Sequence, residues 1–239
     1  LSAMLQENDL NPEVPEGTEY YLPAGSSYRV TPFELAKGFR LVGSSDGIKP
    51  KVILDDWWKI AEGSYITSLE FENIEFQHAS NNKYFMNANK SFTLESVSFV
   101  NCDFIGLTRG FWRHQQATSK HIMNFEVEGC RFDKCGWQTG SYGLIDLRSF
   151  NAPTSYDQID KAVFRNCTFS RDNDGTAGFG WGNLFYAPYV DKPIQLKFKN
   201  ITIYNYSLNK RLINISSAVG SELTIEGMVL ASPSGDLYV

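Results

Sequence analysis

The sequence predicts an all-β solenoid, a parallel β-helix, and three observations carry that prediction. A short motif recurs along the chain, each copy switches the phase of its apolar alternation at an Asn or Gly, and a second apolar run follows each copy. The copies are "LEFENIEF", "VSFVNCDF", "FEVEGCRF", "AVFRNCTF", "LKFKNITI" and "LTIEGMVL", with switch residues Asn73, Asn101, Gly129, Asn166, Asn200 and Gly227. The intervals between them are 28, 28, 37, 34 and 27 residues. Alternation of period two is the signature of a strand, and Leu69 and Phe71 before Asn73 obey it, as do Ile74 and Phe76 after it. A phase slip at residues that tolerate left-handed backbone geometry marks a sharp bend. Each unit therefore contains two short strands meeting at a corner. The third strand is the downstream run: "FMNAN", "FWRHQ", "LIDLR", "LFYAP", "LINIS" and "LYV".

One such unit cannot bury its own inner face, whereas stacked units can. Stacking puts Ile74, Cys102, Cys130, Cys167, Ile201 and Met228 in one inward column, and Phe76, Phe104, Phe132, Phe169, Ile203 and Leu230 in another. The cysteines keep company with Ile and Met, so they read as small core hydrophobes rather than nucleophiles. With no C-x-x-C and only His78, His114 and His121, a zinc module is not expected. His114 is expected to be a buried, hydrogen-bonded core residue.

The N-terminal stretch fits the start of the same solenoid. "TEYYLPAGSSYRV" reads as strand, turn, strand, and "FRLVGSSDGIKPKVILDD" as two strands about another turn. Between them "TPFELAKG" predicts one or two helical turns, with Thr31 as N-cap, Pro32 first, Glu34 completing a capping box and Gly38 as the stop. Residues 1–38 are thus expected to be the N-terminal cap and first strands, and residues 39–239 the rungs of one continuous domain. Asp55 and Asp56 beside Trp57 and Trp58 read as an edge of the first rungs. The chain starts without Met and "LYV" stops without a cap pattern, so a trimmed chain continuing beyond Val239 is expected.

The 239 residues suffice for a substantial core, and 42 % hydrophobic content excludes wholesale disorder. A net charge of −5 gives no footprint for nucleic acid. No run approaches the roughly 18 apolar residues of a membrane-spanning helix.

On "YLPAGSSYRV", "GFRLVGSSDGIKPKVIL" and the six cornered rungs, the chain resembles the pectin-lyase-like superfamily of right-handed parallel β-helices, over nearly its whole length. It is most similar to secreted or surface-attached members from glycan-foraging gut bacteria. The resemblance implies a right-handed, single-stranded β-helix of about 27–37 residues per rung. It further implies a secreted, periplasmic or cell-surface monomer with polysaccharide as partner. It does not choose an activity, because that superfamily includes lyases, hydrolases, epimerases and non-catalytic adhesive domains.

In a solenoid, function falls to outward positions and to insertions between rungs. Aligning the third strands gives one outward column, Asn87, Arg113, Asp146, Tyr186 and Asn214, and a second, Asn89, Gln115, Arg148, Pro188 and Ser216. Arg113, Asp146 and Arg148 would then cluster on adjacent rungs. The long insertions "DKCGWQTGSYG", "FNAPTSYDQIDK" and "SRDNDGTAGFGWGN" flank these rungs and bring Trp137, Tyr142, Tyr156 and Trp181. Aromatic faces and planar polar groups along a groove suit sugar rings, so Asn87, Trp112, Gln115, Trp137, Trp181 and Tyr186 are the candidate substrate-binding residues.

Three functions stay open on these residues: glycan binding within polysaccharide utilisation, β-elimination on a uronate-containing glycan, and a structural or adhesive spacer. Lyases of the superfamily use Ca²⁺ held by acidic residues and a Lys or Arg base. For such chemistry Arg113 or Arg148 would be the base and Asp146 a ligand or orienting group. "RDNDG", with Asp172 and Asp174, is the nearest acidic loop for Ca²⁺, although it lacks the full calcium-loop spacing. A hydrolase would need paired carboxylates about 5–9.5 Å apart, and the third strands carry no Asp pair.

Overall fold

The computed structural model describes residues 1–80, 83–115, 118–136, 143–147, 157–170, 180–181, 183–187, 192–204, 207–208, 212–215 and 220–231. It begins with a helix, α1 (Ser2–Leu10), and then winds through successive rungs of three strands. The first rung is β1 (Thr18–Leu22), β2 (Ser27–Val30) and β3 (Glu34–Leu35), and the second β4 (Phe39–Gly43), β5 (Lys51–Leu54) and β6 (Lys59–Ile60). The third is β7 (Ser64–Glu72), β8 (Glu75–His78) and β9 (Tyr84–Ala88); the fourth is β10 (Phe92–Val100), β11 (Asp103–Ile105) and β12 (Gly110–His114). The fifth is β13 (Lys120–Glu128), β14 (Arg131–Asp133) and β15 (Gly143–Asp146). The sixth comprises β16 (Asp157–Arg165), β17 (Thr168–Ser170), β18 (Gly180–Trp181) and β19 (Asn183–Ala187). In the seventh, β20 (Gln195–Tyr204) runs through the corner and is followed by β21 (Ser207–Leu208) and β22 (Ile213–Ile215). Finally β23 (Glu222–Ala231) lies along β20.

All pairings between successive rungs are parallel and in register, as at Phe71↔Phe99↔Val127↔Phe164↔Phe198. Among the described residues the first and second strands make one 14-stranded sheet, and the third strands β9, β12, β15, β19 and β22 a five-stranded one. The chain is a right-handed parallel β-helix.

The corner residues do what the phase slip demanded. Asn73, Asn101, Asn166 and Asn200 sit at φ 54, 51, 53 and 53°, and Gly129 and Gly227 occupy the same left-handed region. Asn pays less than other side-bearing residues to be there, and its amide adds a bond along the stack. Asn200 Nδ2 donates to Asn166 Oδ1 at 3.0 Å. At Gly129 a Cβ would collide with Asn101 Oδ1, so the neighbouring amide occupies the space a side chain would need.

Inside, equivalent rings ride on one another at the rung spacing, about 4.8 Å. Phe104 stacks on Phe132 at 4.8 Å and 16°, and Phe132 on Phe169 at 4.8 Å and 13°. From the opposite wall Phe111 meets Phe99, Phe104 and Phe132 at 4.9, 4.5 and 5.1 Å. Each buried Phe contributes about 1.5–3 kcal/mol from burial, with roughly 0.5–1.5 more for each well-placed ring pair. All four cysteines are free and buried. Burial pushes the thiols of Cys135 and Cys167 up to about 12, so neither is a nucleophile near neutrality.

Two features of the N-terminus differ from the sequence reading. Thr31–Gly38 is not helical: Glu34 and Leu35 pair with Lys59 and Ile60 as β3, and Leu35 is fully buried. Thr31 Oγ1 bonds Asp55 instead of capping a helix, and Glu34 pairs with Lys90 at 2.7 Å. Local capping signals yielded to a strand slot whose inner residue completes the core. The helix lies instead at Ser2–Leu10, among Ala, Met, Leu, Gln and Glu, which favour helix. It covers the first rungs: Leu5 is buried, Asn8 Nδ2 donates to Gly38 O at 3.3 Å, and the Asp9 carboxylate accepts the N–H groups of Ala36 and Lys37.

Candidate functional site

The column expected on the third strands forms. Arg113 is the register partner of Asn87 on one side and Asp146 on the other; Asp146 pairs onward with Tyr186, and Tyr186 with Asn214. Its direction follows from its neighbours in β12. Phe111 packs among core phenylalanines, Trp112 stands edge-on to Phe125 at 5.2 Å, and His114 edge-on to Phe92 at 5.8 Å. Arg113 turns the opposite way, with its guanidinium 5.5 Å from the centre of the Tyr84 ring, within cation–π reach.

The expectation of a solvent-facing strip is corrected in one respect: the column is buried. Arg113 is 3 % exposed, Asp146 0 % and Asn87 4 %, while Gln115 and Tyr186 are half-buried. An exposed ion ladder is worth little, but charges held out of water require close partners, and removing one is costly. The backbone helps, since Asp146 Oδ2 accepts the Gly143 N–H at 3.4 Å. Gln115 Oε1 accepts a 3.0 Å bond from Asn87 Nδ2, tying the two outward columns together.

Trp112, placed among the substrate-binding candidates, faces the core and is fully buried against Phe125. Two adjacent inward residues, Phe111 and Trp112, mark a local break in the alternation, and that break leaves Arg113 outward and His114 inward. His114 is fully buried, and burial first, then the nearby Lys120 charge, holds its imidazole well below the usual histidine range. It is a neutral interior ring and not a base facing substrate. Arg148, Trp137, Asp172 and Asp174 lie outside the described residues, as do Tyr142 and Tyr156. For Trp181 the described feature is its backbone, which pairs with Leu208 in β18 and β21.

Sequence reasoning missed several residues on this face. Tyr84 is buried beneath Arg113, and Arg109 stands over the same ring at 5.7 Å. Gly110 is the register partner of Tyr84, and a Cβ there would collide with that ring, so the tyrosine lies flat over the glycine. Lys83 stands 4.4 Å over the Trp57 ring and pairs with Asp56 at 2.7 Å. Trp58 is buried and bridges to Met86 of β9, which puts it at the edge of this sheet. Carrying the column alignment three residues upstream of Asn87 would have revealed Tyr84, because Gly110 and Gly143 occupy the same slot on the next two rungs.

Fold and site together define a right-handed parallel β-helix with a polar strip buried along the five-stranded sheet of its third strands. Compared with family models, with curated proteins and with solved structures, the chain matches none. Among the described residues no helix is long and apolar enough to cross a membrane, and no three His, Cys, Asp or Glu gather as a metal site.

Proposed function

We propose that the protein is a secreted or cell-surface β-helix of the pectin-lyase-like kind that binds polysaccharide along the outer side of its five-stranded sheet, as a glycan-binding component of polysaccharide utilisation. The observation that carries this reading is the in-register strip Asn87–Arg113–Asp146–Tyr186, bordered by Gln115 and underlain by Tyr84. A ligand that repeats along the solenoid axis suits a surface that repeats from rung to rung. Half-buried Tyr186 offers an aromatic face, and Gln115 a planar amide, at the accessible margin. Burial of Arg113 and Asp146 favours binding over β-elimination, because a base must reach the acidic C–H of the substrate. In this reading the pair holds the strip rigid beneath the ligand.

The test is a panel of neutral and uronate-containing polysaccharides, scored at once for retention in affinity gels and for unsaturated product. Retention without product, weakened in Tyr186→Ala and Gln115→Ala, is the expected result. Product absorbance lost in Arg113→Ala would replace the reading with a lyase. Neither retention nor product would leave a structural or adhesive spacer.

A further inference from the structure

The solenoid is finished differently at its first and last described rungs. At the first, the inward residues Leu22, Val30 and Leu35 are at most 2 % exposed, and α1 lies across that end with Leu5 buried. At the last, β23 carries the inward columns one step further. Leu223 and Ile225 are the register partners of Leu196 and Phe198, and Met228 and Leu230 those of Ile201 and Ile203. Those four partners are between 0 and 3 % exposed, whereas Leu223 is 46 % and Ile225 43 % exposed. Positions that belong to the core on every other rung face water here. The backbone is open as well, since β23 pairs with β20 on one side and, among the described residues, with no strand on the other. Natural sheets blunt such an edge with a short strand, a bulge, proline or lysine. β23 is 10 residues long and has neither Lys nor Pro.

An edge of this kind accepts a strand, and its own sequence indicates which. Head-to-tail stacking would need the first-rung end of another copy, and α1 covers that end. Two copies meeting at their β23 ends about a two-fold axis form a closed pair instead. With the axis along the bisector of the corner, between Glu226 and Gly227, the strand before the corner in one copy lies antiparallel on the strand after it in the other. Leu223 then meets the partner's Leu230, and Ile225 the partner's Met228, so inward residues meet inward residues. On the outer side Thr224 meets the partner's Val229, and Val229 is 58 % exposed in the single chain. Glu222 falls opposite the partner's Ala231 and Glu226 opposite the partner's Gly227, so no like charges face each other. A shift of one residue would set inward positions against outward ones and forfeit the match.

We infer that the β23 end is a two-fold interface, at which a second copy of this chain adds its own β23 as an antiparallel strand and closes the core of both. The added strand supplies partners to the open backbone edge and covers Leu223 and Ile225 as Leu196 and Phe198 are covered within the chain. Glu226 brings no unanswered charge to the junction, because Lys197 pairs with it at 2.7 Å. This interface is independent of the glycan reading.

The experiment measures the molar mass of the 239-residue chain in solution, by light scattering and sedimentation across the micromolar range. Twice the chain mass of 27.0 kDa is expected for the wild type. Ile225→Lys, which puts a charge in the middle of the junction, should weaken association about a hundredfold or more while the unfolding temperature of the single chain is kept. Since that variant can disturb the last rung, the double variant Thr224→Cys with Val229→Cys reads the register separately. Mild oxidation should lock it into a covalent dimer on a denaturing gel and leave either single variant uncoupled, the 4 native cysteines being buried. Single-chain mass for the wild type throughout the range would overturn the inference. So would failure of the double variant to cross-link, a dimer that a folded Ile225→Lys leaves intact, or assemblies longer than a dimer, which only head-to-tail stacking can build.

Discussion

Replacing Asn166 by Ala and, separately, by Gly separates the two contributions of the corner ladder. Asn166 holds φ 53° and accepts a 3.0 Å bond from Asn200 Nδ2, while its own backbone N–H bonds Lys199 O at 2.9 Å. Neither substitution touches the backbone bond. Alanine loses the side-chain bond, which sits near the surface and contributes about 0.5–1 kcal/mol, and it also takes on the left-handed backbone at about 1–2 kcal/mol. Glycine loses the same bond and escapes the strain, at the cost of a more flexible unfolded chain worth about 0.5–1 kcal/mol. Alanine should therefore destabilise by about 2 kcal/mol and glycine by about 1.5. Equilibrium unfolding in urea gives both values, with Thr168→Ala, on the outward side of the next strand, as a control expected to stay within about 0.5 kcal/mol. If alanine proves as stable as glycine, the corner stores no strain and the reasoning for every Asn in the ladder fails.

Stability should fall as pH drops below about 6.5, the ordinary histidine value. Burial lowers the folded-state pKa of both His114 and His78, so the unfolded chain takes up protons first, with a slope of up to about 1.4 kcal/mol per pH unit for each ring. Unfolding curves between pH 7 and 5 should show the decline, and His114→Phe should flatten it without abolishing it. Removing one partner from the buried column should cost about 3–5 kcal/mol, for Arg113→Leu or Asp146→Leu alone, and the double variant should cost less than the sum. Additive losses would show that the two charges do not sense each other. Thiol reagents should label none of the 4 cysteines in the native protein near neutral pH and all of them in denaturant. Fast native labelling would contradict the buried column of Cys102, Cys130 and Cys167.

The architecture was legible because the β-helix writes one rule on every rung. Apolar alternation broken at Asn or Gly located the corners to the residue, and the column partners of Arg113 followed from counting. What the pattern could not carry was depth. Outward in a strand says which side a residue is on and nothing about what lies over it, so Asn87, Arg113 and Asp146 read as surface and are buried. Trp112 failed for a related reason, because strict alternation does not foresee two consecutive inward residues. The "TPFELAKG" helix shows local capping chemistry losing to a partner strand from a distant part of the chain. Lys83 over Trp57 is a contact between residues 26 apart that belong to different rungs, with no local sequence signal at all.

The two ways around each rung obey different grammars. From the third rung onward a single left-handed residue makes the turn from first strand to second, because that corner admits one conformation and few residue types, whereas the first two rungs use longer turns, from Leu22 to Ser27 and from Gly43 to Lys51. Elsewhere the connections lengthen freely: the interval from Gly129 to Asn166 is 37 residues and that from Asn73 to Asn101 is 28, yet β13 and β16 still pair residue for residue. Added chain does not shift the register of the stack. The solenoid thus works as a ruler with open ports, in which segments of different length can be exchanged while the spacing of the rungs is kept by the left-handed corners.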